Sequence, residues 1–105
     1  MLLAQGNTYQ LPIKIKVDNE QLTPENAKVV EVAFECGDSQ LIKNYPEEIV
    51  FEDGAFVLPL SQEDTFALRG RCSYQIRVLL FDGNVISTDK INGNVSESIS
   101  KVVLK

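Results

Sequence analysis

Three stretches alternate apolar and polar residues with period two: Leu11-Pro-Ile-Lys-Ile-Lys-Val17, Ala55-Phe-Val-Leu-Pro-Leu60 and Tyr74-Gln-Ile-Arg-Val-Leu-Leu80. No stretch of similar length repeats with period 3.6. Strict alternation puts every second side chain on one face of an extended chain, the pattern of a half-buried β-strand. The chain is therefore expected to be all-β. Its 105 residues suit one domain, residues 1–105, and apolar residues make up 44% of it, too many for disorder. A chain of this length buries roughly 60–65% of its unfolded surface, enough for a core without staples.

Turn signals divide the rest into short strands. Residues 1–5 read as an irregular edge strand broken at Gln5-Gly6-Asn7. The first regular strand is expected from Thr8 to Val17, with Leu11, Ile13, Ile15 and Val17 inward and Pro12 marking an edge or bulge. Asp18-Asn19-Glu20 reads as the turn that ends it. Thr23-Pro24-Glu25-Asn26 has a hydroxyl N-cap, a proline and an acid, so one helical turn is expected there. Lys28 to Cys36 follows as a strand with Val30, Val32 and Phe34 inward, and Gln40 to Tyr45 is stopped by Pro46. Asp53-Gly54, between Ile49–Glu52 and Ala55–Leu60, is the strongest two-residue hairpin signal. Ser61-Gln62-Glu63-Asp64 is a capping-box pattern that opens one more turn. Arg71 to Phe81 is the longest strand, with Cys72, Tyr74, Ile76, Val78 and Leu80 inward and Arg77 outward. Asp82-Gly83-Asn84 turns it into Val85–Thr88, and a last strand is expected over Val95–Leu104. Seven to eight strands with one-turn helices at corners predict an immunoglobulin-like antiparallel β-sandwich in architecture only; a small closed β-barrel is the alternative.

Several chemistries lack their residues. There is no histidine, so the usual general base, the Ser-His and Cys-His pairs and the commonest zinc ligand are missing. No glycine-rich phosphate loop occurs. The neighbouring acids Glu47/Glu48, Glu52/Asp53 and Glu63/Asp64 fall in turns, whereas a catalytic carboxylate pair converges from separate segments. Asp82-Gly-Asn84 with Ser87 and Asp89 places its glycine wrongly for a calcium hand and reads as a plain hairpin. The chain is read as a non-enzyme with no cofactor, no metal site and no catalytic residue. Of the aromatic residues, Tyr9 and Tyr45 are the two expected at the surface, where they would form a glycan or peptide platform; the others are assigned to core and corners.

Net charge is −5, and it is unevenly placed. Residues 1–17 carry Lys14 and Lys16 and no acid. Residues 18–64 hold twelve acids against Lys28 and Lys43, a local charge of −10, and residues 65–105 carry +3. An acidic chain is a poor partner for nucleic acid. The segregation fits acidic strands pairing laterally with basic ones, which is the expected arrangement. It also fits acidic and basic surfaces meeting between subunits in a ring or stack. No 18-residue apolar run is present, so no membrane span is expected, and Met1-Leu-Leu-Ala-Gln-Gly6 does not read as a signal peptide. Synthesis in a cytoplasm follows as the expectation, and Cys36 and Cys72 are then expected as free, mostly buried thiols.

Three segments together resemble small structural proteins of phages and prophages of Gram-positive bacteria. Gln5-Gly-Asn-Thr-Tyr-Gln-Leu-Pro-Ile-Lys-Ile15 is similar to their Gln-Gly-Asp-Thr-Tyr opening, and Leu58-Pro-Leu-Ser-Gln-Glu-Asp-Thr-Phe66 to their Pro-Leu-Thr-Gln-Glu-Glu-Thr-Phe segment. The third is Ile76-Arg-Val-Leu-Leu-Phe-Asp-Gly-Asn-Val85 with the closing Ser96-Glu-Ser-Ile-Ser-Lys-Val-Val-Leu104. The resemblance implies a tail- or baseplate-associated β-sandwich, loosely like the N-terminal module of baseplate upper proteins. Such a module is made in the host cytoplasm and becomes virion-associated. Its partners would be other phage structural proteins or further copies of itself in a ring. The chain is read as a single domain without the helical stalk and receptor-binding head of the fuller protein, so an adaptor, decoration or ring-forming role is the expectation. Removal of residues 95–105 is expected to abolish assembly or solubility. The alternative function is a glycan- or cell-surface-binding β-sandwich module using Tyr9 and Tyr45.

Overall fold

The alternating stretches assemble into two principal β-sheets around one shared core. The computed structural model describes residues 2–17 and 19–105. In chain order the elements are β1 (Leu2–Ala4), β2 (Tyr9–Ile13), β3 (Lys16–Val17), β4 (Glu20–Gln21), β5 (Ala27–Cys36) and β6 (Ser39–Tyr45). They continue with β7 (Val50–Glu52), β8 (Ala55–Leu60), α1 (Gln62–Phe66), β9 (Gly70–Leu80), β10 (Val85–Ser87) and β11 (Ile91–Ser96). The larger sheet runs β1-β11-β9-β5-β6, with β10 also on β9, and the smaller runs β2-β8-β7. Neighbours are antiparallel except β1, which lies parallel to β11 with Leu3 beside Val95.

Alternation explains the core. Val30, Val32 and Phe34 of β5 and Cys72, Ile76 and Val78 of β9 turn their side chains towards Phe56, Leu58 and Leu60 of β8 and Ile13 of β2, and all are buried in one cluster. Tyr74 and Leu80 complete the inward face of β9 half-buried, while Arg77 is exposed. The hairpin between β7 and β8 closes through Asp53 and Gly54, both at positive φ (50° and 79°), as a primed turn requires. At the other end of β8 the capping box forms. Ser61 Oγ accepts from Asp64 N at 3.1 Å, and Asp64 Oδ2 accepts from Ser61 N at 2.9 Å.

Some expectations are corrected. The strand expected over Thr8–Val17 is interrupted at Lys14-Ile15, where Ile15 O accepts from Leu22 N at 3.0 Å and the chain leaves β8 to begin the β3–β4 hairpin. Inward alternation survives the break, with Ile13 buried and Leu11, Ile15 and Val17 half-buried. Pro12 sits on β2, an edge strand, as its missing donor demands. Asp18, assigned to the following turn, lies outside the described residues; Asn19 has φ 66°. Thr23-Asn26 makes a single turn, Ala27 N donating to Thr23 O at 2.9 Å, and enters β5 directly without becoming a helix. Eleven strands rather than seven or eight are present among the described residues; two of the additional ones are the two-residue pieces β3, split from the expected Thr8–Val17 strand, and β4, which follows it.

The last strand is also displaced. It spans Ile91–Ser96, not Val95–Leu104. Ile91-Asn-Gly-Asn94 has no alternation to announce it, but β9 is long and needs a partner for Gly70–Tyr74, and β11 supplies it. Residues 97–105 run outside every ladder.

The cysteines are not free. Cys36 and Cys72 form a disulfide. The register sets Glu35 opposite Ser73, so the next pair along is Cys36 and Cys72, with Cα atoms 4.4 Å apart. That separation lies within disulfide reach. The expectation of thiols rested on compartment; strand register, which places two cysteines 36 residues apart face to face, was not readable from spacing.

Candidate docking surfaces

The acids do converge, but on a cation. Lys43 Nζ lies 3.2 Å from Glu48 Oε2, in the turn after β6, and 3.1 Å from Asp64 Oδ1, in α1. The remaining oxygens are also engaged, Glu48 Oε1 by Asn44 N at 3.2 Å and Asp64 Oδ2 by the cap. Partial burial alone would push Lys43 down and Asp64 up. The hydrogen bonds and opposite charges overcome it, holding Lys43 above its ordinary value and Asp64, with help from Ser61 N, below its own. Two carboxylates from distant segments thus meet as a structural clasp between β6 and α1. Among the described residues, no three cysteine, aspartate or glutamate side chains gather as metal ligands.

Lateral charge pairing within the sheet is sparse. Glu31 of β5 and Arg77 of β9 are register partners with side chains 3.7 Å apart, an exposed pair worth a few tenths of a kcal/mol. With the Lys43 clasp, that accounts for the ion pairs among the described residues. Lys14, Lys16, Lys90 and Lys105 take part in none of them, nor do Glu20, Glu25, Asp38 and Asp82. The segregated charge seen in the sequence therefore stays largely at the surface.

The two ends of β9 carry contrasting surfaces. At its Leu80 end is an open depression of about 430 Å³. Val17, Leu22, Leu80 and Phe81 supply its apolar lining, and Glu20, Glu25 and Asp82 its charge. Phe81 is 61% exposed, with Val85 beside it in sequence across the turn. Phe81 N donates to Asn26 O at 3.1 Å, which fixes the strand end against the Thr23–Asn26 turn. The Asp82-Asn84 segment is a plain hairpin. Asp82 Oδ1 accepts from Asn84 N at 2.9 Å, and Leu80 N donates to Asn84 O at 2.9 Å.

At the Gly70 end the chain beyond β11 is laid across α1. Gln5, only 5% exposed, donates from Nε2 to Leu68 O at 2.8 Å and accepts at Oε1 from Ser98 N at 3.0 Å and from Lys101 Nζ. Gln5 N also donates to Ser96 O at 2.9 Å. Thr65, fully buried, accepts from Gly6 N and donates to Asn7 O, both at 2.9 Å. Gly6 is required here: φ is +83°, and a Cβ would stand 3.1 Å from Phe66 Cζ. Farther along, Gln62 Nε2 donates to Leu104 O and Gln62 Oε1 accepts from Leu104 N, each at 2.8 Å. The segment so held exposes Ile99, Val102 and Leu104 and carries Lys101 and Lys105.

Tyr9 and Tyr45 are not brought together. Tyr9 is half-buried on β2, its hydroxyl accepting from Ala4 N at 2.8 Å. Tyr45 ends β6 beside the cis Tyr45–Pro46 peptide and packs edge-on against Phe56, ring centroids 5.0 Å apart. They belong to different sheets, near opposite ends of β8: Tyr9 pairs with Leu60, and Tyr45 lies on Phe56. The exposed aromatic residue is Phe81, which reads from sequence as the end of the longest strand. Comparison of the chain with protein families, curated proteins and solved structures gave no match. No helix among the described residues is long and apolar enough to cross a membrane.

Proposed function

We propose that this chain is a non-enzymatic structural module of a phage or prophage tail or virion, acting by protein–protein assembly. One observation carries the reading: strongly segregated charge is left almost unpaired among the described residues and accompanies exposed apolar side chains at both ends of β9. Surfaces of that composition serve association, and complementary charge orients it. The carboxylates that converge from distant segments are spent on Lys43 and the helix cap, which favours assembly over acid–base chemistry. The resemblance of the 5–15, 58–66, 76–85 and 96–104 segments to phage structural proteins supplies the class of particle. The Cys36–Cys72 disulfide suits the same reading, since such bonds persist on virion surfaces after release from a reducing cytoplasm.

The finer architecture is read as an immunoglobulin-like sandwich. In support, β2-β8-β7 follows the B-E-D order of that fold and β11-β9-β5-β6 the G-F-C-C′ order of its variable type. Two features depart from antibody domains: the disulfide joins neighbours in one sheet, and the chain contains no tryptophan.

The test is location. Peptides of this chain are expected in purified phage particles, with neighbouring reading frames encoding head or tail proteins. A chain recovered free of particles, from a locus without such genes, would overturn the reading.

A further inference from the structure

We infer that the partner for these surfaces is a second copy of the chain: the 97–105 segment of one copy docks into the depression at the Leu80 end of β9 in the next. The inference rests on the assembly reading and adds to it the partner and the register. Three observations meet in it.

The segment has the pattern of a strand without a ladder. Val95 to Leu104 alternates well enough to read as a strand, yet residues 97–105 pair with none. Ile99 is fully exposed, and Leu104 is 78% exposed. Three large apolar side chains within six residues, in a segment that carries Lys101 and Lys105 against Glu97, are an unburied surface.

The depression is its chemical complement. Val17, Leu22, Leu80 and Phe81 offer apolar contact, while Glu20, Glu25 and Asp82 face what would be Lys105 of the arriving segment; Lys101 Nζ stays bonded to Gln5 Oε1 and Ser98 O of its own copy. Its volume of about 430 Å³ lies in the range of small binding pockets.

A copy cannot fill its own depression in this conformation. Eleven residues of β9 separate the two ends, roughly 33 Å at the rise of an extended strand. Gln5 and Gln62 hold the segment at the far end.

A contact between two different surfaces of identical chains is heterologous, so it repeats. It closes into a ring when the rotation permits and otherwise grows as a filament. Gln62 acts as a positioning residue: gripping the main chain of Leu104 leaves that side chain free to be presented.

The experiment uses the full chain and two variants at exposed positions, Leu104→Glu in the segment and Phe81→Gln in the depression. Light scattering with size-exclusion chromatography is followed over protein concentration, and circular dichroism checks that both variants keep the parental spectrum and melting. The parent is expected to grow beyond monomer with concentration and to dissociate in high salt. Each variant alone is expected to associate more weakly, by on the order of tenfold or more, the worth of one buried aliphatic or aromatic contact. Mixed one to one, they are expected to form a dimer that stops growing, because each retains the one surface the other lacks. A parent that is monomeric throughout overturns self-stacking, while its recovery in particles would leave the assembly reading standing. Variants that associate like the parent, or a mixture that forms no dimer, overturn the assigned surfaces even if the parent assembles.

Discussion

The side-chain amide of Gln62 grips the main chain of Leu104 as a neighbouring strand would, giving one hydrogen bond to its carbonyl and taking one from its N–H, each 2.8 Å long. The two residues are 42 positions apart, and the pairing ties the end of the C-terminal segment to a five-residue helix. A primary amide can do this because it carries donor and acceptor side by side, like a peptide group.

Gln62→Ala should therefore release the end of the segment without touching the core. Amide exchange at Leu104 is expected to accelerate sharply, while global stability changes by under about 1 kcal/mol, since both bonds are solvent-exposed. Hydrogen exchange read by NMR, beside a urea melt, checks both halves. An unchanged exchange rate at Leu104 would show that Gln62 does not hold it.

Gln5 is a different case because it is buried. Gln5→Leu removes the acceptor of Ser98 N and Lys101 and the donor to Leu68 O. Unpaired polar groups in a buried place are expected to cost about 2–3 kcal/mol in a urea melt. The same variant frees the start of the C-terminal segment, so protease sensitivity over 97–105 should rise with it.

The disulfide closes a loop with a sequence separation of 36. Chain-entropy reasoning gives about 4 kcal/mol for a loop of that size. The double variant Cys36→Ala with Cys72→Ala is expected to lose stability on that scale, and reductant should bring the parent towards it. Intact mass before and after alkylation under denaturing, non-reducing conditions tests the bond itself: uptake of two alkyl groups without reductant would contradict it.

The Lys43–Asp64 contact sets a pH signature with a definite sign. Asp64 is held below its ordinary 3.8 in the folded chain, so its contribution is complete above that value and disappears as pH falls through the folded value. Lys43 is held above 10.5, so its contribution is complete below that value and disappears as pH rises through the folded one. Asp64→Asn is expected to cost about 1–2 kcal/mol near neutrality through the cap and the ion pair. The deficit should shrink on acidification below about pH 3.8, as the parent itself loses the charge. Urea midpoints of parent and variant at neutral and acid pH measure this; an equal deficit at both would remove the ion pair from the account.

Where each side chain's direction followed from its neighbours, the fold was legible. Val30, Val32 and Phe34 turn inward, Asp53-Gly54 closes its hairpin and Ser61 caps its helix, because alternation, positive φ and a hydroxyl three residues before an acid act locally. The misses share a long-range cause. Ile91-Asn-Gly-Asn94 becomes a strand only because β9 lies beside it, and Cys36 meets Cys72 only through strand register. The same limit applied to the candidate surfaces. Tyr9 and Tyr45 read as available aromatic residues, but the Tyr9 hydroxyl is taken up by Ala4 N and the Tyr45 ring packs on Phe56 of β8. Phe81 reads as one more strand residue until the Thr23–Asn26 turn is seen to flank it. Charge segregation was plain in the sequence; whether it cancels within the molecule depended on distances that only the fold supplies.

The placement of the Cys36–Cys72 bond has a mechanical consequence. The C-terminal segment leaves β11 beside Gly70, and β9 runs from there to Leu80 at the far end. Tension applied to that segment acts along the strands, so it loads the β11–β9 ladder in shear, many hydrogen bonds at once, instead of peeling them singly. The covalent link sits near the end where the load enters and passes part of it to β5, the other long central strand. A pull that would unravel a lone edge strand is thereby shared across the two longest strands of the sheet.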